Sequence, residues 1–273
     1  MLEATVLPPK KEAKLQKPHC YGCKCTPKER RKHLLMKMVS LLLVAAVSAG
    51  SLGLVSASAL PQPAAATGKN GKVPTAVQLS MPFCSTKHLL PCGSESVSAM
   101  MLLHYWGIPV SLDGVVAAMH KQPLQKNGTV LSGPDPDKSF AGDPRKEGSA
   151  GCYPPPLMQA TAQFLPPLLR VQDESGTSLE QLARERLSVG EPVLIWATKG
   201  MKEPGDALRW KQPDGSTCEW VKNTACMVLI GYDNGGYWVD DPTEEGPVRW
   251  EKSLVKKRYE QIGSRCLIIR RAE

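Results

Sequence analysis

The apolar residues change their spacing about halfway along the chain, and this change limits the possible architectures most. From Ser94 to Gly107 they fall mostly at helical spacing, which predicts a helix capped by Gly93 or Ser94. Further helices are predicted for the segments SLDGVVAAMHK, PLMQATAQFL, SLEQLARERLSVG and SLVKKRYEQIG. The second half holds short β-branched or aromatic runs bounded by Gly, Pro and Asp: PVLIWAT, CMVLIGYD, GGYWVDD and RCLIIRR. Helices first and strands later predict an α+β fold, in which N-terminal helices pack on a C-terminal antiparallel sheet.

Two features refine this prediction. Ser111 and Ser178 are expected to cap the helices that follow them, and Gly190 is expected to end the second of these. The passage NGTVLSGPDPDKSFAGDPRKEGSAGCYPPP is rich in Gly, Pro and Asp and has little apolar periodicity, so it is predicted to be an ordered surface loop.

The formal charge of +8 belongs to the N-terminal region rather than to the domain. Residues 1–40 hold ten Lys/Arg and three Asp/Glu, which leaves 24 and 23 for the rest of the chain. Nothing therefore supports a nucleic-acid partner. We interpret 1–37 as a basic, disordered extension, 38–59 as a signal peptide cut after Ala59 or as a membrane anchor, and 60–78 as a Pro/Ala/Gly linker. The domain, 79–273, is then expected outside the cell, secreted or anchored, with membrane contact only through the apolar segment.

The cysteines fall into two groups. Four metal-ligand types are close together in HCYGCKC (His19, Cys20, Cys23 and Cys25), but no second ligand pair follows at finger-like spacing. We expect no metal or cofactor; a disordered tail, or a translation start at Met36 or Met38, explains this segment as well. Six further cysteines lie in the exported part, where an even number permits disulfides in fifteen pairings: Cys84, Cys92, Cys152, Cys218, Cys226 and Cys266.

Six motifs in order carry a family resemblance: LPCGSESVSAMMLLHYWG, FAGDPR, GCYPPPL, PVLIWATKGMK, CMVLIGYD and VDDP. Together they resemble the peptidase domains of the bacteriocin-processing cysteine peptidases, which cut after double-glycine leaders and form family thirty-nine of the cysteine peptidases. The similarity covers roughly Leu79 to Ile269 and implies a papain-like fold.

The resemblance also implies a set of catalytic positions, most of which are substituted. The family motif reads Leu-Pro-Thr-Gly-Cys-Glu, so its nucleophile position holds Ser94 and its threonine position holds Cys92. The position of the catalytic histidine holds Ala225, and that of the oxyanion glutamine holds Thr86. The acidic third member is retained as Asp241.

These changes affect the chemistry unequally. A serine with an adjacent base is a working nucleophile, but a serine hydroxyl without a base ionises negligibly, and the base contributes roughly 10²- to 10⁴-fold. Asp241 has no imidazole to orient, so an Asp-Pro turn explains it at least as well. His104 lies about 15 Å from Ser94 along the same helix, at 1.5 Å per residue. That distance is too long for His104 to act as the base, whereas distance does not exclude His88 or His120 from this role.

The sequence is compatible with three functions. We favour a monomeric pseudopeptidase that binds a peptide or protein in the substrate cleft. The alternative is an active peptidase whose nucleophile is Ser94 or a displaced Cys92, with His88 as a neighbour of Cys92. A disulfide between Cys84 and Cys92 is a competing use of that thiol. The third is a fold retained without any surviving site.

Overall fold

The computed structural model describes residues 73–87 and 89–272. The predicted extension 1–37, the signal or anchor segment 38–59, the His19–Cys25 cluster and most of the 60–78 linker lie outside the described residues, as does His88. Within the described residues, no helix is long and apolar enough to cross a membrane.

The described chain forms thirteen strands and five α-helices. In chain order the strands are β1 (Val77–Gln78), β2 (Lys121–Gln122), β3 (Gln125–Asn127), β4 (Val130–Ser132), β5 (Phe140–Ala141), β6 (Leu169–Asp173), β7 (Val193–Thr198), β8 (Ala207–Lys211), β9 (Thr217–Val221), β10 (Thr224–Tyr232), β11 (Gly236–Asp240), β12 (Val248–Glu251) and β13 (Cys266–Arg271). The helices are α1 (Ser94–Tyr105), α2 (Leu112–Ala118), α3 (Pro154–Ala162), α4 (Leu179–Glu185) and α5 (Lys252–Gln261).

A seven-stranded antiparallel sheet organises the fold. Its order is β12-β11-β10-β7-β13-β6, and β1 pairs with the end of β10. Every residue of β7 and β10 is buried. Their uninterrupted apolar sequences are what a strand covered on both faces requires. Helix α1 packs against β10, and α5 packs against β7, β11 and β12. The α+β architecture predicted from the sequence is therefore confirmed. The sheet also begins earlier than expected, since β1 lies in the stretch assigned to the linker.

The predicted helix signals are confirmed at both serine caps. The hydroxyl of Ser111 accepts a hydrogen bond from the Gly114 N–H at 3.0 Å, and that of Ser178 accepts one from Gln181 at 3.2 Å. One helix is shorter than predicted: α4 ends at Glu185, and a 3-10 turn follows up to Gly190, whose φ is 86°. A left-handed residue at a helix end favours glycine because it has no Cβ.

The prediction of a surface loop over 127–156 is wrong. The passage contains β4 and β5, and it buries Phe140 and Cys152 completely. A second sheet, β3-β4-β8-β9, uses β4 as a parallel partner of β8, a strand far along the chain. β4 also forms a local hairpin with β3. Strands of two or three residues are too short to show an alternating pattern, which explains why the sequence did not indicate them. Trp210 and Trp220 form the centre of this sheet's small core.

Candidate functional site

The start of α1 is positioned by a tight loop that ends at Gly93. Gly93 is the N-cap, and a Cβ on this residue would overlap the side chain of Leu90. The loop therefore requires glycine for close packing. It places Ser94 and Glu95 in the first turn, where both are buried against the sheet.

The Ser94 hydroxyl is hydrogen-bonded on two sides. Its oxygen accepts a hydrogen bond from the backbone N–H of Cys226 at 3.2 Å, and the hydroxyl donates to Glu95 Oε2 at 3.1 Å. One turn later, Ser98 donates to the carbonyl of Cys226 at 2.9 Å. The register of β10 with β11 begins only at Val228, so the two serines satisfy backbone groups that lie before the β10–β11 ladder begins.

Ala225 lies next to this contact. The N–H that Ser94 accepts belongs to the peptide bond between Ala225 and Cys226, so the structure brings the positions of the family's nucleophile and histidine together. Ala225 is 1% exposed and pairs with Ala197 of β7. Its methyl group can neither accept nor donate a proton.

The two described histidines contact backbone carbonyl groups away from Ser94. His104 Nε2 lies 2.8 Å from the Val110 carbonyl, and His120 Nδ1 lies 3.5 Å from that of Lys138. Within the described residues, neither of them lines the pocket that Ser94 lines. The prediction for His88 falls outside those residues.

Asp241 joins two loops. Its Oδ2 accepts a hydrogen bond from the Gly200 N–H at 3.0 Å, and its Oδ1 accepts bonds from the N–H and hydroxyl of Thr243 at 2.8 and 2.7 Å. This carboxylate is 1% exposed and ties the turn after β11 to the segment after β7. The contacts are those of a turn-forming aspartate.

Its neighbour Asp240 has a different environment. Asp240 is fully buried, and within the described residues neither of its carboxyl oxygens has a hydrogen-bond partner. Burial raises its pKa to about 7, because the charged form is poorly solvated there. Sequence reasoning did not single out this residue.

Thr86 is held to the same turn as Asp241. Its N–H and its hydroxyl both donate to the carbonyl of Pro242, at 2.6 and 3.0 Å. Thr86, which occupies the position of the family's oxyanion glutamine, therefore lies at the edge of the pocket. Its hydroxyl, the only polar atom of its side chain, is bonded to the backbone.

Cys92 is half-buried, and its thiol donates to the Ser149 carbonyl at 3.3 Å. Burial raises its pKa, although the positive charge of Lys199 acts in the opposite direction. Cys92 has no disulfide in this structure, so the competing use of its thiol in a disulfide to Cys84 is not seen. Cys84 is instead buried beside α1, with its N–H donating to the sulfur of Met101.

Glu95 is the functional candidate that residue-by-residue reasoning missed. It is 3% exposed, and burial raises its pKa to about 7. Its Oε1 accepts a hydrogen bond from the Cys152 N–H at 3.2 Å, while Oε2 accepts that of Ser94. The family motif retains a glutamate at this position, which was the signal available in the sequence.

These groups surround one small pocket of about 60 Å³. Thr86, Cys92, Ser94 and Glu95 line it together with residues that the sequence had not indicated, among them Lys199, Lys222 and Thr224. Across the described part of the chain there is no cluster of three or more His, Cys, Asp or Glu side chains able to hold a metal ion.

Comparisons with known proteins agree on one relationship. The sequence model of the Peptidase_C39 like family matches residues 72–267. A protein of Bacillus subtilis strain 168, uncharacterized protein YvpB, is 26% identical over 179 residues, which cover 66% of this chain and 69% of that protein. A crystal structure described as a C39-like peptidase from Bacillus anthracis superimposes with a TM-score of 0.63 at 25% identity, covering 72% of this chain and 98% of that one.

Proposed function

The chain belongs to the Peptidase_C39 like family, and from this premise we propose that its domain is an exported pseudopeptidase. In this proposal the domain has lost peptide-bond hydrolysis and binds a peptide or protein segment in the former substrate cleft. It acts as a monomer outside the cell, and it contacts the membrane only through the apolar segment before the domain.

One observation carries the loss of hydrolysis. Ser94 and Ala225 lie side by side, where the family places its thiol and its imidazole, and the peptide N–H after Ala225 is bonded to the Ser94 hydroxyl. A serine hydroxyl needs a base to become a nucleophile at neutral pH. The methyl group of Ala225 supplies none, and the two described histidines point to other partners.

Retention of binding is supported by the surroundings. The loop before α1, the turn after β11 and the segment after β7 are tied together by Asp241 and Thr86, as described above. These hydrogen bonds hold the loops around the pocket, and binding residues concentrate on loops held by a scaffold. The double-glycine leader peptides of the bacteriocin-processing relatives are the first ligand class to test.

The alternative is an active hydrolase with a rearranged nucleophile. One contact favours it: Ser94 donates to Glu95, a carboxyl whose pKa of about 7 would suit a general base. Two facts oppose it, because Ser94 is only 7% exposed and its oxygen already accepts the Cys226 N–H. Cys92, the other nucleophile of this alternative, has a raised pKa, which lowers its thiolate fraction.

Affinity selection tests the binding proposal. The full chain is incubated with peptides from the proteolysed secreted proteins of its own cell, supplemented with double-glycine leader peptides, and retained peptides are identified by mass spectrometry. We expect saturable retention of a defined subset. Absence of any saturable ligand would overturn the proposal.

A pair of variants locates the binding. Lys222 is exposed at the pocket, so Lys222→Trp places a bulky ring over it. Lys257 is exposed on α5, outside the pocket, and Lys257→Trp is the matched control. Retention should fall at least tenfold in Lys222→Trp and stay unchanged in Lys257→Trp; equal retention by both variants would place the ligand elsewhere.

A further inference from the structure

Two cationic side chains line the pocket at the start of α1. Lys199 follows β7 and Lys222 precedes β10, and both line the pocket. Within the described part of the chain, neither ammonium group makes a hydrogen bond or an ion pair with a protein side chain. Several other surface lysines have a carboxylate partner, as Lys87 has Glu245 at 2.7 Å.

The positive charge of Lys199 acts on two ionisable groups in the pocket. Its charge lowers the pKa values of both Cys92 and Glu95, in opposition to the larger effect of burial. The ammonium therefore acts on groups inside the pocket rather than only on solvent.

Thr224 provides a second, independent observation. Its side chain is 7% exposed and lines the pocket, and its hydroxyl has no hydrogen-bond partner among the described residues. Buried hydroxyl groups are normally bonded, since an unpaired one costs about 1–3 kcal/mol. A ligand with acceptor oxygens would satisfy this donor.

Glu95 determines the balance of charge. It is the acidic residue among the pocket's lining residues, and burial raises its pKa to about 7, so near neutral pH it carries only part of its charge. Among the side chains that line the pocket, the two lysines therefore outnumber the single carboxyl. An anion is the complementary ligand.

The volume of the pocket suits a small anion. At about 60 Å³ it is large enough for a carboxylate or a phosphate group. This inference rests on the proposed function, in which a peptide lies in the cleft. We propose that the pocket binds the C-terminal carboxylate of that peptide, and that Lys199, Lys222 and Thr224 donate hydrogen bonds to it. The domain would then recognise peptides that already end at this point, such as the products of another peptidase.

The test compares matched peptides with and without the charge. A random-sequence heptapeptide mixture is made with free C-terminal carboxylates and again with C-terminal amides, and both are offered to the full chain in affinity-selection mass spectrometry. We expect at least tenfold stronger retention of the free acids, and acetate at millimolar concentration should compete with them. Charge-assisted hydrogen bonds of this kind are stronger than neutral ones.

Variants assign the effect to the pocket. Lys199→Met and Thr224→Val should each reduce the ratio of acid to amide retention severalfold or more. Lys256 on α5 is partly exposed and bonded to Glu260, so Lys256→Met is the control and should keep the full preference. A preference that survives both Lys199→Met and Thr224→Val would overturn the assignment.

The remaining outcomes separate this inference from the proposed function. Equal retention of acids and amides, lost together in Lys222→Trp, would overturn the carboxylate site and leave the peptide-binding cleft standing. Retention of neither form would overturn both. Displacement of the acids by inorganic phosphate but not by acetate would assign the pocket to a free phosphate-type anion and contradict recognition of a peptide terminus.

Discussion

The oxygen of Ser94 accepts a hydrogen bond from the backbone N–H of Cys226 at 3.2 Å, which fastens the first turn of α1 to β10. Ser98 makes the complementary bond to the Cys226 carbonyl at 2.9 Å. The residue at the family's nucleophile position thus has a structural role. Its hydroxyl bonds the Cys226 N–H, which lies before the β10–β11 ladder begins.

This role predicts a stability cost for removing the hydroxyl. In Ser94→Ala the N–H of Cys226 is left buried without a partner, so the free energy of unfolding should fall by about 1–3 kcal/mol. Ser94→Cys keeps a weak sulfur acceptor and should lose less. Urea unfolding measures both, and Ser253→Ala, at an exposed serine of α5, should change stability by less than about 0.5 kcal/mol. A loss equally small in Ser94→Ala would show that the contact contributes nothing.

Asp240 predicts how stability depends on pH. Its pKa is about 7 in the folded protein and 3.8 as the ordinary value, so the folded state binds the proton more tightly. The contribution of Asp240 to the free energy of unfolding is therefore fully present below about pH 4 and is lost as the pH rises towards 7, at roughly 1.4 kcal/mol per unit of pKa difference.

Asp240→Asn should remove this contribution. The variant should match the parent near pH 4 and exceed its stability at pH 8 by a few kcal/mol, as followed by urea unfolding at each pH. Part of the slope should persist, because Glu95 also has a raised pKa. Parallel pH profiles of variant and parent would mean that Asp240 is not the buried acid described.

The thiol of Cys92 is predicted to be unreactive at neutral pH. Burial raises its pKa, so its thiolate fraction is small. Iodoacetamide at pH 7 should modify Cys92 in the folded protein more slowly than a free cysteine peptide, and the urea-unfolded protein is the matched control. Mass spectrometry of the labelled peptide gives the rate. Modification faster than the peptide would favour Cys92 as a rearranged nucleophile.

Gly151 is predicted to be essential for packing around Glu95. A Cβ at this position would overlap Glu95 Oε1 and the ring of Trp220. Gly151→Ala should lower the free energy of unfolding by at least about 2–3 kcal/mol, in the range of overpacked cores. Gly246→Ala introduces a methyl group that meets nothing within 4 Å, so it serves as the control. Equal stability of the two variants would show that the Glu95 environment can expand.

Local signals were sufficient to predict much of the fold. The caps at Ser111 and Ser178 and the apolar runs of β7 and β10 are local patterns, and the structure has them where the sequence indicates. The α+β class followed from their order. The strands β8 and β9 form a local hairpin, and they were missed because each is only five residues long and buries only part of its side chains.

The site was less predictable for a physical reason. Positions such as Ser94 and Ala225 followed from the resemblance, but their hydrogen bonds depend on how α1 meets β10. The unpaired hydroxyl of Thr224 and the buried carboxyl of Asp240 are properties of packing, which no spacing of residues in the sequence expresses.

The central claim, that hydrolysis has been lost while the cleft persists, is tested most directly by a cleavage screen. The full chain is incubated with a mixed peptide library that includes double-glycine leaders, beside the restored variant Thr86→Gln/Ser94→Cys/Ala225→His, and products are identified by mass spectrometry. We predict no products from the natural chain and cleavage by the restored variant. Cleavage by the natural chain would contradict the loss of hydrolysis, and a folded but silent restored variant would contradict persistence of the cleft.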